Sequence, residues 1–237
     1  MNKISFIIPV FNEVKTVRKA IQDVIDLSID NKELIIIDNG SDDGSVEEIN
    51  VFKNSKNVKI FLKKKNTGYG SSIKKAIELS SGKYAYIQYA DLEYDLNSFL
   101  EMYEKSEVNE YDVVFGSRFN EKLKINFKLF ETIKKKPSYL ATFICTFLIN
   151  FFYKRNFKDI IGGKFYNLNK LKQIKINSNG QGFDFELVSK LCKMNYKIGE
   201  IFVSYKPRSN SKEKKIKFYH MFVSLYQIFK VKFFETI

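Results

Sequence analysis

Five times along the first half of the chain a short apolar run is followed by a polar turn or a helix-length stretch. Ser5–Val10 is the first run. After it, Val14, Val17, Ile21, Val24 and Ile25 recur at the spacing of one helical face, which predicts a helix up to about Leu27. Glu33–Asp38 (ELIIID) has four adjacent apolar residues and no polar side, the pattern of a strand covered on both faces. The Gly-rich turn NGSDDGS follows, and Ser45 is expected to cap a helix reaching about Asn54. Val58–Leu62 predicts a third strand, Ser71 to Ser80 a helix, and Tyr84–Tyr89 a fourth strand. A helix over Asn97–Lys105 and a fifth strand in DVVFGS from Asp112 complete the series.

Strands joined by crossovers of helix length build a mostly parallel sheet with right-handed connections. In such α/β sheets ligands bind at the carboxyl ends of the strands. The turns PVFNE, DNGSDDGS and YADLE all follow strands, so Glu13, Asp38, Asp91 and Glu93 are expected along one edge. That edge is too acidic to hold a diphosphate unless a divalent cation or basic residues intervene.

Beyond about Leu123 the pattern weakens. GFDFELVSKLCKMNYKIGEIFVSYKPR, starting at Gly182, predicts a helix, a turn and a strand. Tyr139–Tyr153 is an uncharged run of 15 residues, short for crossing a bilayer. KKKPS precedes it and KR follows, which suits either a helix lying along a membrane interface or a buried core helix. From Phe218 to Phe234, Phe218, Met221, Phe222, Leu225, Phe229 and Phe233 fall roughly on one face, giving an amphipathic helix for an interface or for packing on the sheet. No internal repeat or low-complexity linker is present. The expected division is a main domain over 1–217 and a C-terminal amphipathic helix over 218–237.

The chain has 237 residues, 44% of them hydrophobic, enough for one large globular domain. The net charge of +13 points to an anionic partner, although Lys, Ile, Asn and Phe are abundant throughout and part of the excess is general compositional bias. Cys145 and Cys192 lack CxxC spacing, as expected of reduced thiols in the cytoplasm. His220 is the sole histidine and lies far from any candidate nucleophile, which argues against Ser-His or Cys-His catalysis. No basic leader precedes SFIIPV, so no secretory signal is expected. A dinucleotide-binding oxidoreductase would need GxGxxG where this chain has PVFNE, and a sugar nucleotidyltransferase a basic Gly-rich loop there. Nucleic-acid binding would explain the charge but not the acidic turns, and no nucleic-acid partner is expected.

Together FIIPVFNE (Phe6–Glu13), ELIIIDNGSDDGS (Glu33–Ser45), NTGYGSSIKKAIELSSGKY (Asn66–Tyr84) and QYADLEYD (Gln88–Asp95) resemble family 2 of the glycosyltransferases. DVVFGSRF, DIIGGKFY, GFDFEL and IFVSYKPRSNSKEKKIK continue the resemblance in the same order, and its nearest branch is the polyprenyl- and dolichyl-phosphate sugar synthases. The resemblance implies a Rossmann-like GT-A fold and transfer of a sugar from a nucleotide-sugar donor. It puts Pro9, Phe11, Glu13 and Asp38 around the base and ribose, and Ala90 and Asp91 at the diphosphate. Asp91 and Glu93 become the carboxylates for Mg²⁺ or Mn²⁺. Glu13 also suits the N-terminal end of a helix dipole. Arg118 is expected to bind an acceptor or donor phosphate, or else to pair with Asp112 or Asp159. Arg208, Lys214 and Lys215 are expected to hold a lipid phosphate near the membrane; a solvated basic tail is the alternative for the two lysines.

Two positions depart from the family pattern. Asn39 stands where a second Asp is common, and Tyr89 where the family usually has a metal carboxylate. A magnesium ion often needs only one or two protein carboxylates, so a weakened site, a site helped by Lys or Arg, and a catalytically impaired binding homologue all remain open. A polyprenyl-phosphate acceptor brings an anionic oxygen and needs no general base. A glycan hydroxyl does, and Asp184 or Glu186 would supply it. Without tryptophan the chain has no QxxRW motif, which argues against a processive polysaccharide synthase. A peripheral place on the cytoplasmic membrane face is the expected location.

Overall fold

The structure, a computed structural model, describes residues 1–120, 138–208 and 220–236. Among the described residues seven strands form one sheet: β1 (Ile4–Val10), β2 (Lys32–Asp38), β3 (Val58–Leu62), β4 (Tyr84–Ile87), β5 (Val113–Ser117), β6 (Gly163–Asn167) and β7 (Ile198–Phe202). Their order is β3-β2-β1-β4-β6-β5-β7. All run in one direction except β6, which pairs antiparallel with both β4 and β5. The mostly parallel α/β sheet is therefore as expected, with β6 inserted where the sequence pattern marked no strand.

Alternation along the strands explains the two cores. Phe6, Ile8, Leu34, Ile36 and Tyr86 face one side with α1 (Val17–Asp26), α2 (Ser45–Asn50) and α4 (Ser98–Asn109). Ile7, Ile35, Ile37, Ala85 and Ile87 face the other. That side is covered by α3 (Tyr69–Leu79), α5 (Ser138–Tyr153), α6 (Leu168–Lys172), α7 (Phe183–Lys193) and α8 (His220–Phe233). Burying these side chains on both faces removes them from water, at roughly 1.5–3 kcal/mol per large apolar residue.

Three local expectations change. β4 stops at Ile87, so Tyr89 lies in the loop beyond the sheet. Helix α2 ends at Asn50 rather than near Asn54. Gly44, at φ 97°, takes its N-cap position instead of Ser45, and Asp43 Oδ1 accepts the Ser45 amide at 3.0 Å.

The uncharged run forms a helix packed on the core along one side. One face of α5 buries Cys145 and Ile149, while Phe147 and Phe151 are exposed. Helix α8 likewise buries Ser224, Ile228 and Val231, packs Leu225 beside them, and leaves Phe222, Phe229 and Phe233 exposed in part. Phe218 lies outside the described residues. The two helices join through Phe152, whose ring meets Phe229 at 5.3 Å and Phe233 at 5.5 Å. The start of α7 lies close against α8, because a Cβ on Gly182 would come 2.9 Å from Gln227.

Candidate active site

Parallel pairing fixes the ends of β1, β2 and β4 on one edge, with Val10 opposite Asp38 and Ile7 opposite Ile87. Pro9 is half-buried on β1 opposite Ile37, and Phe11 is half-buried just beyond. Asn12 turns the chain at φ 53°. Its amide donates to Ser41 Oγ at 2.9 Å and its Nδ2 to Asp42 Oδ1 at 2.8 Å. Glu13 N donates to Ser45 Oγ at 2.8 Å, so the first two acidic turns are laced together.

Asp38 ends β2, fully buried. Its Oδ2 accepts the amides of Gly40 (2.9 Å) and Ser41 (3.0 Å). Its Oδ1 is buried and has no hydrogen-bond partner among the described residues. An unpaired buried acceptor costs about 1–3 kcal/mol, a deficit that a donor from a ligand would relieve. Asn39 uses both ends of its amide: Nδ2 donates to Asn66 Oδ1 (2.9 Å) and Oδ1 accepts from Thr67 N (3.1 Å). An aspartate could not make the first bond, which gives the departure at this position a structural reason. Gly40, at φ 77°, permits the turn; a Cβ there would meet the Lys65 backbone at 2.6 Å.

The third loop follows β4. Ala90 is buried, and Asp91 Oδ1 accepts the Glu93 amide at 3.1 Å. Arg208, beyond β7, reaches into this loop and the first. Its Nη2 donates to Glu13 Oε2 at 2.5 Å and lies 3.9 Å from Asp91 Oδ2. Its Nε is 4.0 Å from Glu93 Oε1. Glu93 is held on both oxygens, by Arg208 N (3.0 Å) and Tyr205 OH (2.8 Å). Glu13, Asp91 and Glu93 are thus brought together around Arg208, while Asp38 sits along the same edge in its own turn. Burial, with the charge of Glu93 added, raises the Asp91 carboxyl to about 6, and Arg208 offsets only part of this.

Tyr89 belongs to a row of rings. It stacks on Tyr69 (6.4 Å) and meets Tyr94 (5.4 Å), which meets Tyr205 (4.9 Å). Its hydroxyl lies 3.4 Å from that of Tyr69. Tyr69, Tyr94 and Tyr205 carried no signal in the sequence, because half-buried tyrosines spread along a chain do not announce that they will stack. Lys63 was also missed inside a lysine run; its Nζ donates to Thr67 Oγ1, Ser71 Oγ and Ser72 Oγ and ties the second turn to α3.

Arg118, nearly buried, lies behind this row of rings, its guanidinium carbon 5.5 Å from the centre of the Tyr205 ring. Its Nε donates to Asp159 Oδ2 at 2.6 Å and its Nη2 to Asp159 Oδ1 at 3.1 Å, with Thr142 Oγ1 at 3.3 Å. The Asp159 pair, one of the two alternatives, is what the fork makes. Of the two candidate bases, Glu186 is fully buried and accepts Asn177 N, Ser178 N and Lys190 Nζ, a structural set. Asp184 differs. Its Oδ1 is buried without a hydrogen-bond partner among the described residues, and burial raises its pKa against the lowering influence of Lys164. Lys214 and Lys215 lie outside the described residues.

The sequence profile of glycosyl transferase family 2 matches residues 5–174. The chain belongs to that family. An uncharacterized protein of Methanocaldococcus jannaschii is 27% identical over 208 residues, 84% of this chain and 86% of that protein. A dolichyl-phosphate beta-glucosyltransferase of Dictyostelium discoideum is 32% identical over 130 residues, 48% of this chain and only 39% of its own length. Among solved structures, glucosyl-3-phosphoglycerate synthase from Mycobacterium tuberculosis in complex with uridine diphosphate (UDP) superposes with a TM-score of 0.71 at 13% identity, over 99% of this chain and 82% of that one. Another structure of that synthase contains Mn²⁺ with UDP. The fold is GT-A, and the protein is a nucleotide-sugar-dependent glycosyltransferase.

For this glycosyltransferase the donor set suits a hard divalent cation, though sparsely. Among the described residues no three Asp, Glu, His or Cys side chains converge as a metal cage. Asp91 Oδ2 makes no hydrogen bond among the described residues and is the oxygen left to offer a metal ion. One protein carboxylate is enough for Mg²⁺ or Mn²⁺ when phosphate oxygens and waters supply the rest.

Proposed function

We propose that this glycosyltransferase moves a sugar from a nucleoside-diphosphate sugar to a polyprenyl phosphate, by a single displacement that inverts the anomeric carbon. The observation that carries the donor half is the meeting of Glu13, Asp91, Glu93 and Arg208 on the edge where Asp38 keeps an unpaired buried oxygen. Asp38 Oδ1 would accept a hydrogen bond from the base or ribose, with Pro9 and Phe11 beside it. Ala90 and Asp91 would lie against the diphosphate. Mg²⁺ or Mn²⁺ held at Asp91, when bound, would stabilise the charge that develops on the departing nucleoside diphosphate. Glu93 would position Arg208 through its backbone amide. Arg118 would brace β5 through Asp159, and Lys214 and Lys215 would meet the acceptor phosphate.

The lipid acceptor is supported by the dolichyl-phosphate relative from Dictyostelium and by a second surface. Phe147, Phe151, Phe229, Phe233 and Phe234 are all exposed on α5, α8 and the residues after it. Among the described residues no helix is long and apolar enough to cross a membrane. Such rings suit peripheral contact with a bilayer, with 218–237 as its main element. A Phe147→Ser/Phe234→Ser double variant is expected to lose at least about tenfold in co-sedimentation with anionic vesicles at little-changed melting temperature. Equal binding by both proteins would remove the membrane from the proposal.

A glycan hydroxyl is the second acceptor, favoured by the raised pKa and unpaired Oδ1 of Asp184, which would serve as general base. The deciding experiment offers labelled UDP- and GDP-sugars with short polyprenyl phosphates or glycosides, with and without EDTA. Product on the lipid phosphate, insensitive to Asp184→Asn, supports the first acceptor. Product on glycosides alone, abolished by Asp184→Asn, moves the assignment to the second. Binding of a nucleotide sugar with no turnover on either would mean an inactive homologue.

A further inference from the structure

We propose that Arg208 is a built-in cation of the donor site, gripping the donor diphosphate and leaving a metal ion an auxiliary part in donor binding. This rests on the transferase reading above and adds how its donor is held. One guanidinium faces three carboxylates brought from two loops: Glu13 at 2.5 Å, Asp91 at 3.9 Å and Glu93 at 4.0 Å. Without a cation among them, these carboxylates would repel a diphosphate.

The arginine is held from behind. Both oxygens of Glu93 are taken, by Arg208 N and Tyr205 OH, and Lys206 N donates to the Glu93 carbonyl at 2.8 Å. The rings of Tyr94 and Tyr205 meet along the same joint, tilted, at 4.9 Å. Glu93 is therefore committed to placing Arg208, and Tyr89, two residues before Asp91, turns its hydroxyl to Tyr69. A charge that a second metal carboxylate would otherwise help to bring is already present as a side chain. A guanidinium fork matches phosphate oxygens, so its donors can pass from Glu13 to the ligand while the backbone tether stays in place.

Calorimetric titration with UDP and with guanosine diphosphate (GDP), in EDTA and in Mn²⁺, tests this on the wild type, Arg208→Met and Arg208→Lys. Thermal melting checks that each is folded. The wild type is expected to bind one of the two nucleotides in EDTA within about fivefold of its affinity in Mn²⁺. Arg208→Met is expected to weaken the EDTA binding by about tenfold or more, with Arg208→Lys between them. If wild-type binding vanishes in EDTA and returns with Mn²⁺, the inference falls and the transferase reading stands. Undiminished binding by folded Arg208→Met in EDTA also overturns it. If neither nucleotide binds in either buffer, the transferase reading fails first.

Discussion

Arg118 and Arg208 have the same side chain and opposite circumstances. Arg118 is 9% exposed and its fork is matched to one fully buried carboxylate, Asp159, whose backbone amide is held in turn by Glu200 at 2.9 Å. Arg208 is 19% exposed and faces three carboxylates, none of them fully buried. In the first case guanidinium and carboxylate face each other inside a low-dielectric layer, and losing Arg118 strands Asp159. In the second, among the described residues the carboxylates outnumber the guanidinium and the group is partly open to water, so the cation can exchange partners. Matched burial marks a brace, and unmatched charge at a sheet edge marks a place prepared for a ligand.

The largest expected effect lies on the brace. Burial pushes the Asp159 carboxyl up, yet Arg118, helped by the Ile161 amide and Lys164, holds it below the usual range. Arg118→Met leaves that carboxylate buried with only amide donors, and about 3–5 kcal/mol of stability should be lost. Chemical denaturation would show a lower midpoint at unchanged slope. A loss below about 1 kcal/mol would mean that water reaches Asp159 and that the contrast between the two arginines is false.

Asp91→Asn should act in the other direction on stability and strongly on turnover. With a folded pKa of about 6 against 3.8 for the free group, the native state prefers the protonated carboxyl. The group therefore withdraws stability as pH rises from 3.8 to about 6, and the penalty is complete above that window. The amide variant avoids it and should be more stable at pH 7 by about 1 kcal/mol, after allowance for solvent screening. Its turnover should fall by roughly 100-fold, because the oxygen offered to the cation is gone. In the wild type, stimulation by Mn²⁺ should rise with pH through about 6, as Asp91 ionises. A flat profile, or a variant both slow and unstable, would place Asp91 with the braces.

Much of this frame was legible because strands covered on both faces leave an unambiguous mark. ELIIID has no polar side, and the turns after β1, β2 and β4 had to share an edge once the strands ran parallel. β6 was not legible. GKFYN carries a glycine and a lysine, and Lys164 is fully buried there by donating to the Ile160 and Gly162 carbonyls, contacts that exist only after folding. Glu13 and Asp91 could be nominated from their turns. The partner of Glu13 could not, since Arg208 lies 195 residues away. Asp184 and Glu186 looked equivalent in GFDFE, two residues apart, until the amides of Asn177 and Ser178 singled out Glu186.

The smallest effect expected is that of Arg208→Met on stability. Removing this cation leaves Glu13, Asp91 and Glu93 to repel one another across a partly exposed edge, and about 1 kcal/mol should be lost. The loss is electrostatic and open to water, so it should shrink as sodium chloride screens the three carboxylates. The Arg118→Met deficit should persist in the same salt, because its stranded carboxylate is out of the reach of ions. Melting the two variants in parallel from low to high ionic strength therefore separates them by mechanism and not only by size. If both deficits respond alike to salt, the two arginines share one environment, and Arg208 is no more exchangeable than Arg118.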